Sequence, residues 1–209
     1  MLLHRLITQS VVLTLVFCFG LFVVGITDMR SAVANQDDLH STDDLLVRYQ
    51  EQINSSAQAE EGASIRVYQN GYAHIFYPEY MTQAGNYGVY LSDEALQKTW
   101  RLLISSNLLA FDEVLVRSEI LRERKLRKES LSTLSSVSDT SQIRLEIYPN
   151  RYQSIGFGSG DRNERKKIAW TSLSWDVKSF PENAMLQSLT VFQAHLKSIM
   201  TRHDLKRLD

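Results

Sequence analysis

The stretch Ile65-Arg-Val-Tyr-Gln-Asn-Gly-Tyr-Ala-His-Ile-Phe76 decides the fold class, because an alternating run meets Asn70-Gly71 and continues beyond it. Asn-Gly readily supplies the positive φ angles of a two-residue type I′ hairpin loop. Such a loop opposes Tyr68 to Ala73 and Val67 to His74. It puts Ile65, Val67, His74 and Phe76 on one face, expected to be core, and Arg66, Tyr68, Ala73 and Ile75 on the other. Pro78 ends the pairing by removing a backbone donor. After Gly85, Tyr87, Val89 and Leu91 alternate as a third strand. A helix follows at once: Ser92 is a natural N-cap, Asp93 and Glu94 complement the positive helix end, Leu96, Trp100 and Leu103 form the apolar stripe, and Asn107 ends it.

The same order recurs from Gln142. Ile143, Leu145 and Ile147 alternate, Pro149-Asn150-Arg151 turns, and Gln153, Ile155 and Phe157 return. A three-residue loop pairs Ile147 with Gln153, Leu145 with Ile155 and Ile143 with Phe157, which keeps the apolar side chains together. Residues 168–175 read as another strand. A closing helix from near Pro181 carries Met185, Leu189, Phe192, Leu196 and Ile199 at steps of four and three. The expectation is one α+β domain over 64–209, built from two hairpin-strand-helix units at 64–111 and 142–209. Its antiparallel sheet has about six strands, with helices packed on one face.

Residues 112–141 join the units. Glu113 to Arg117 and Glu123 to Arg127 have the i, i+4 spacing of an exposed helix, with Val114, Leu115, Ile120 and Leu121 placed to lie against the domain. Residues 130–141 are rich in serine and threonine and read as a flexible connector.

Upstream, residues 35–63 hold seven acids against Arg48 alone and read as an acidic tether with a boundary near Ala63. Within it Ser41 and Asp44 resemble a capping box, and Leu45, Tyr49 and Ile53 recur at i, i+4 and i+8, the pattern of a short amphipathic helix. The first 34 residues place a basic start, an uncharged run from Val11 to Ile26 and Ala32-Val33-Ala34 in the order of a secretory signal peptide. The alternative is an uncleaved anchor through residues 6–26. Cys18 lies inside the apolar run and reads as a packed thiol.

Removing the first 34 residues takes Arg5, Arg30 and Asp28 with them and leaves 21 bases against 23 acids, a formal net charge of −2. The charge favours no class of partner. Loss of the single cysteine excludes disulfides, thiolate metal sites and a cysteine nucleophile from the mature chain, and suits an oxidising compartment.

No motif fixes a reaction. Gly156-Phe-Gly-Ser-Gly160 has the glycines of a phosphate loop but leads into a charged loop and a strand rather than a helix N-terminus. His195 and His203 stand eight apart, not the four of a helical zinc pair. No Gly-x-Ser-x-Gly elbow occurs in a strand-to-helix setting. The expectation is therefore no catalytic residues, no metal and no cofactor. Arg122, Arg124, Lys125, Arg127 and Lys128 form a basic patch, interrupted by glutamates and unaccompanied by any nucleic-acid motif. Six tyrosines lie between Tyr68 and Tyr90, and tyrosine contributes apolar area and a hydroxyl together. Arg66, Tyr68, Tyr77 and Tyr90 are the candidate binding residues, expected on an outer sheet face. The composite expectation is an exported protein of a bacterial-type cell envelope, periplasmic or extracellular, that binds an envelope protein or other envelope ligand and not nucleic acid. Its alternatives are a hydrolase with an unfamiliar site and a membrane-tethered structural subunit.

Overall fold

In the computed structural model, which describes residues 44–54, 59–126, 140–155 and 160–208, the chain forms an α+β fold with one antiparallel sheet of seven strands and four helices. The strands are β1 (Leu45–Asn54), β2 (Ala59–Tyr68), β3 (Tyr72–Tyr77), β4 (Gly85–Tyr90), β5 (Thr140–Ile147), β6 (Lys166–Thr171) and β7 (Lys206–Arg207). The helices are α1 (Asp93–Ser105), α2 (Glu113–Leu126), α3 (Leu173–Ser179) and α4 (Ala184–Met200). The strand order is β6-β5-β1-β2-β3-β4-β7. His40–Asp209 forms one compact unit.

The central strand corrects the tether reading. Leu45, Val47 and Tyr49 alternate with Arg48 and Gln50 as readily as Leu45, Tyr49 and Ile53 mark a helix. Val47, Tyr49 and Ile53 suit a pleated, half-buried surface, so pairing on both sides decides in favour of a strand. Val47 meets Val67 on β2 and Ile147 on β5. The boundary expected near Ala63 falls inside β2. There the strand bulges, and Gly62 passes so close to β1 that a Cβ on it would lie 2.6 Å from the Glu51 carbonyl oxygen.

The hairpin of β2 and β3 is one residue out of the expected register. Val67 faces Ala73 and Ile65 faces Ile75, so the loop is Gln69-Asn70-Gly71. The Gly71 amide donates to the Tyr68 carbonyl at 3.1 Å, Gly71 has φ of 82°, and Asn70 is not among the positive-φ residues. This is a type I turn closed by a left-handed glycine, whereas a type I′ loop needs positive φ at both central residues. The shift moves Ala73, Ile75 and Tyr77 to the core and takes His74 and Phe76 to the opposite face.

The expected second hairpin does not form. After β5, Pro149–Ile155 winds as a 3-10 segment, with Asn150 donating to the Asp161 carbonyl and to Glu164. Arg151 and Tyr152 are buried, and the Tyr152 ring lies 4.3 Å from that of Trp100. β5 pairs instead with β1 and β6. Strand β6 stops at Thr171, earlier than expected, because Ser172 takes a left-handed φ of 60° and opens α3, which carries Leu173 and Trp175. Ser92 accepts from the Ala95 amide and Asn107 turns left-handed after α1, as expected, while the closing helix, expected from near Pro181, begins at Ala184 with Asn183 as the cap that accepts from the Leu186 amide. On α2, Val116 and Ile120 are buried, while Val114, Leu115 and Leu121 are exposed.

One hydrophobic cluster joins Val47, Tyr49, Ile65, Ile75, Leu145 and Trp170 of the sheet to Trp100, Ile120, Leu173 and Phe192 of the four helices. Burying each such side chain contributes about 1.5–3 kcal/mol. Tyr49 also ties α4 to β1: its hydroxyl donates to Glu51 at 2.6 Å and accepts from Gln193 at 2.8 Å, and Lys197 pairs with Glu51 at 2.6 Å.

Candidate functional site

Alternation fixes what the other face of the sheet carries. Glu146, Arg48, Arg66, His74 and Gly88 are successive Cα partners across β5, β1, β2, β3 and β4. The adjoining same-face row is Arg144, Gln50, Ser64, Phe76 and Asn86. Arg48 and Arg66 are half-buried and Arg144 is exposed. Among the described residues, neither Arg48 nor Arg66 takes part in an ion pair or a side-chain hydrogen bond. Glu146 instead pairs with Lys167 at 3.7 Å.

A second hydrophobic cluster closes one end of this face. It comprises Leu45, Tyr68 and Tyr72, with Tyr148 against it. Ring centroids run 6.0 Å from Tyr68 to Tyr72 and 5.3 Å from Tyr72 to Tyr90, within the range of favourable aromatic pairs. Tyr72 lies over Gly88, where a Cβ would sit 2.7 Å from the tyrosine hydroxyl. Arg151 stands 4.0 Å over the Tyr148 ring and donates to the carbonyls of Leu45 and Arg162. Tyr90 ends the row at 67% exposure.

Of the four candidate binding residues, Arg66, half-buried on β2, and Tyr90, exposed on β4, lie on this face. Tyr68 is on it but buried at 8% exposure, so it acts through packing. Tyr77 is on the core face. Its hydroxyl donates to the Met200 carbonyl at 2.8 Å, its ring meets Tyr87 edge-on, and burial pushes its pKa up. The register shift in the first hairpin accounts for that misplacement. Arg48, His74 and Arg144 belong to the face and were not singled out. Their signal was the alternation of Arg48 with Val47 and Tyr49, and of Arg144 with Ile143 and Leu145.

Among the described residues of the basic patch, two face solvent and one does not. Arg122 and Lys125 are exposed, but Arg124 turns inward to Asp176 at 3.2 Å. Arg127 and Lys128 lie outside the described residues, as do the Gly156 to Gly158 part of the glycine loop and the N-terminal segment. Asp176 also accepts from the Trp170 indole at 3.0 Å, and Arg117 lies 4.4 Å over the Trp170 ring. Burial raises the Asp176 pKa, while the Trp170 hydrogen bond and the Arg124 and Arg117 charges pull it back. This set joins α2 to β6 and α3; a half-buried ion pair with both partners satisfied is a structural arrangement first.

A half-buried histidine contact joins α1 to α4. Thr99 donates to the Ala95 carbonyl, so its oxygen is left to accept from His195 Nε2 at 2.9 Å. Burial and the nearby Lys98 lower the His195 pKa. Among the described residues, no group of three or more His, Cys, Asp or Glu side chains is arranged to hold a metal ion, and no helix is long and apolar enough to cross a membrane. No family model matches the chain, and no curated protein matches it.

Proposed function

We propose that this chain is an exported, non-catalytic binding module of the cell envelope, and that the sheet face bearing Arg48, Arg66, Arg144 and Tyr90 is its binding surface. In this reading the helices cover one face and leave the other to a partner. The observation that carries it is the separation of the buried side chains into two clusters: all four helices contribute to the first, and none of their residues enters the cluster around Tyr68 and Tyr72. A broad sheet face with arginines at its centre and an exposed tyrosine at its end has the composition enriched in protein interfaces. Export rests on the sequence of residues 1–34.

The test is site-specific photo-crosslinking in the native host. A photoreactive residue at Tyr90 is expected to yield a discrete adduct that Arg66→Ala weakens. The same probe at Ile104, an exposed position on α1, should not yield it. Identical products from both positions, or none from Tyr90, would overturn the assignment. N-terminal sequencing of the mature product is expected to begin at Asn35.

A further inference from the structure

We infer that Arg48 and Arg66 form a site for the carboxylates of an acidic polypeptide, so that the partner's contacting segment carries Asp or Glu side chains. The inference rests on the reading of this face as a binding surface and names what it binds. Arg48 and Arg66 are direct antiparallel partners on β1 and β2, and like charges opposite one another destabilise a sheet. The next pair in the same row shows the ordinary solution, since Glu146 on β5 faces Lys167 on β6 and pairs with it. Arg48 has Glu146 on its other side, but that carboxylate is taken by Lys167 at 3.7 Å. Two half-buried arginines thus stand opposite one another with no anion from the described residues, and screening by salt is weaker there than at an open surface.

An external carboxylate resolves the repulsion. Directly opposed residues have Cα atoms about 4.5–5.5 Å apart, so both guanidinium forks reach one carboxylate or two neighbouring ones with bidentate geometry. The surrounding surface selects a polypeptide. In the adjoining row Gln50 donates to Glu61 at 3.0 Å, Ser64 adds a neutral hydroxyl and Phe76 a half-buried apolar contact, and Tyr90 is exposed at the end. Glu146 in the arginine row disfavours a dense run of phosphates, while a mixed acidic and apolar segment is accommodated.

The experiment uses the whole mature chain with poly-L-glutamate as probe, read as the melting temperature at low and high salt. The wild type is expected to melt higher with the probe, less so as salt rises, and Arg48→Gln and Arg66→Gln should each lose most of that rise. Without the probe both variants should melt about 1–3 °C above the wild type, because one member of the opposed pair is gone. Variants that melt lower without the probe and keep the response would show that the arginines are structural, and would overturn the site. A response to polyphosphate or to phosphatidylglycerol vesicles, with none to poly-L-glutamate, would overturn the polypeptide assignment. If no polyanion acts while the Tyr90 adduct persists, the carboxylate site fails and the binding face stands.

Discussion

Removing the same atom from two buried tyrosines is expected to move stability in opposite directions. Tyr152 is fully buried, and its hydroxyl has no hydrogen-bond partner among the described residues. Leaving such a group unsatisfied costs about 1–3 kcal/mol, and burial raises the phenol pKa, so ionisation offers no relief. Tyr152→Phe deletes the unsatisfied oxygen and keeps the ring against Trp100. After a small loss of packing, it should stabilise the fold by about 1–2 kcal/mol. Tyr49→Phe removes a hydroxyl that donates to Glu51 and accepts from Gln193. Hydrogen bonds to charged groups contribute about 1.5–3 kcal/mol, and Glu51 would keep Lys197, so a loss of about 1.5–3 kcal/mol is expected. Urea unfolding at pH 7 measures both, provided that the slope m is unchanged so that midpoints report stability. By melting temperature, Tyr152→Phe should rise by about 2–8 °C at the scale typical of this chain length. A lower urea midpoint for Tyr152→Phe, or shifts of the same sign in the two variants, would refute the account of the Tyr152 hydroxyl.

Gly88→Ala places a methyl group 2.7 Å from the Tyr72 hydroxyl and 2.9 Å from its ring. It should cost about 1–3 kcal/mol by overpacking and expose Tyr72, seen as a lower urea midpoint together with altered Tyr72 ring resonances; an unchanged Tyr72 environment would contradict it. His195 has a folded pKa below its ordinary value of about 6.5, so below pH about 6.5 the unfolded chain takes up a proton that the folded chain resists. Its contribution is fully present above that pH and is lost as pH falls toward the folded pKa. Unfolding free energy measured from pH 7 to 5 should therefore fall less steeply in His195→Gln than in the wild type, and equal slopes would count against this.

What was legible in the sequence was local. The Ser92 cap, the left-handed Asn107, the strand 85–90 and the stripe Leu189, Phe192, Leu196 and Ile199 are each specified within a few residues, and each is observed. The failures arose where two local readings fit and a distant partner decides. Leu45, Tyr49 and Ile53 satisfy a helical period, but Val47 between them completes an alternation that pairing with β2 on one side and with β5, far along the chain, on the other makes decisive. Glu51 obscured that alternation, since nothing nearby reveals that Tyr49 and Lys197 will satisfy it. Asn70-Gly71 serves a type I′ loop or a type I turn closed by glycine. That single choice moved Tyr77 from the proposed surface to the core and carried His74 the other way. The arginine site was half visible: Arg66 could be placed from its own hairpin, whereas Arg48 could not be placed beside it until β1 was recognised as a strand.

The position of β1 has a kinetic consequence. Val47, from the earliest described strand, is held between Val67 and Ile147, so β1 pairs on one side with β2, its neighbour in sequence, and on the other with β5, which follows only after β4, α1 and α2. β1 to β4 can assemble as a meander of sequence neighbours, but β5 and β6 are added only when β5 closes onto β1. Pairings this distant in sequence slow folding, because the loop must close before the contact is made. A chain lacking β1 would present two unpaired strand edges, on β2 and on β5, each a template for association with another chain. Loss of this strand is therefore expected to yield aggregation rather than a smaller folded domain.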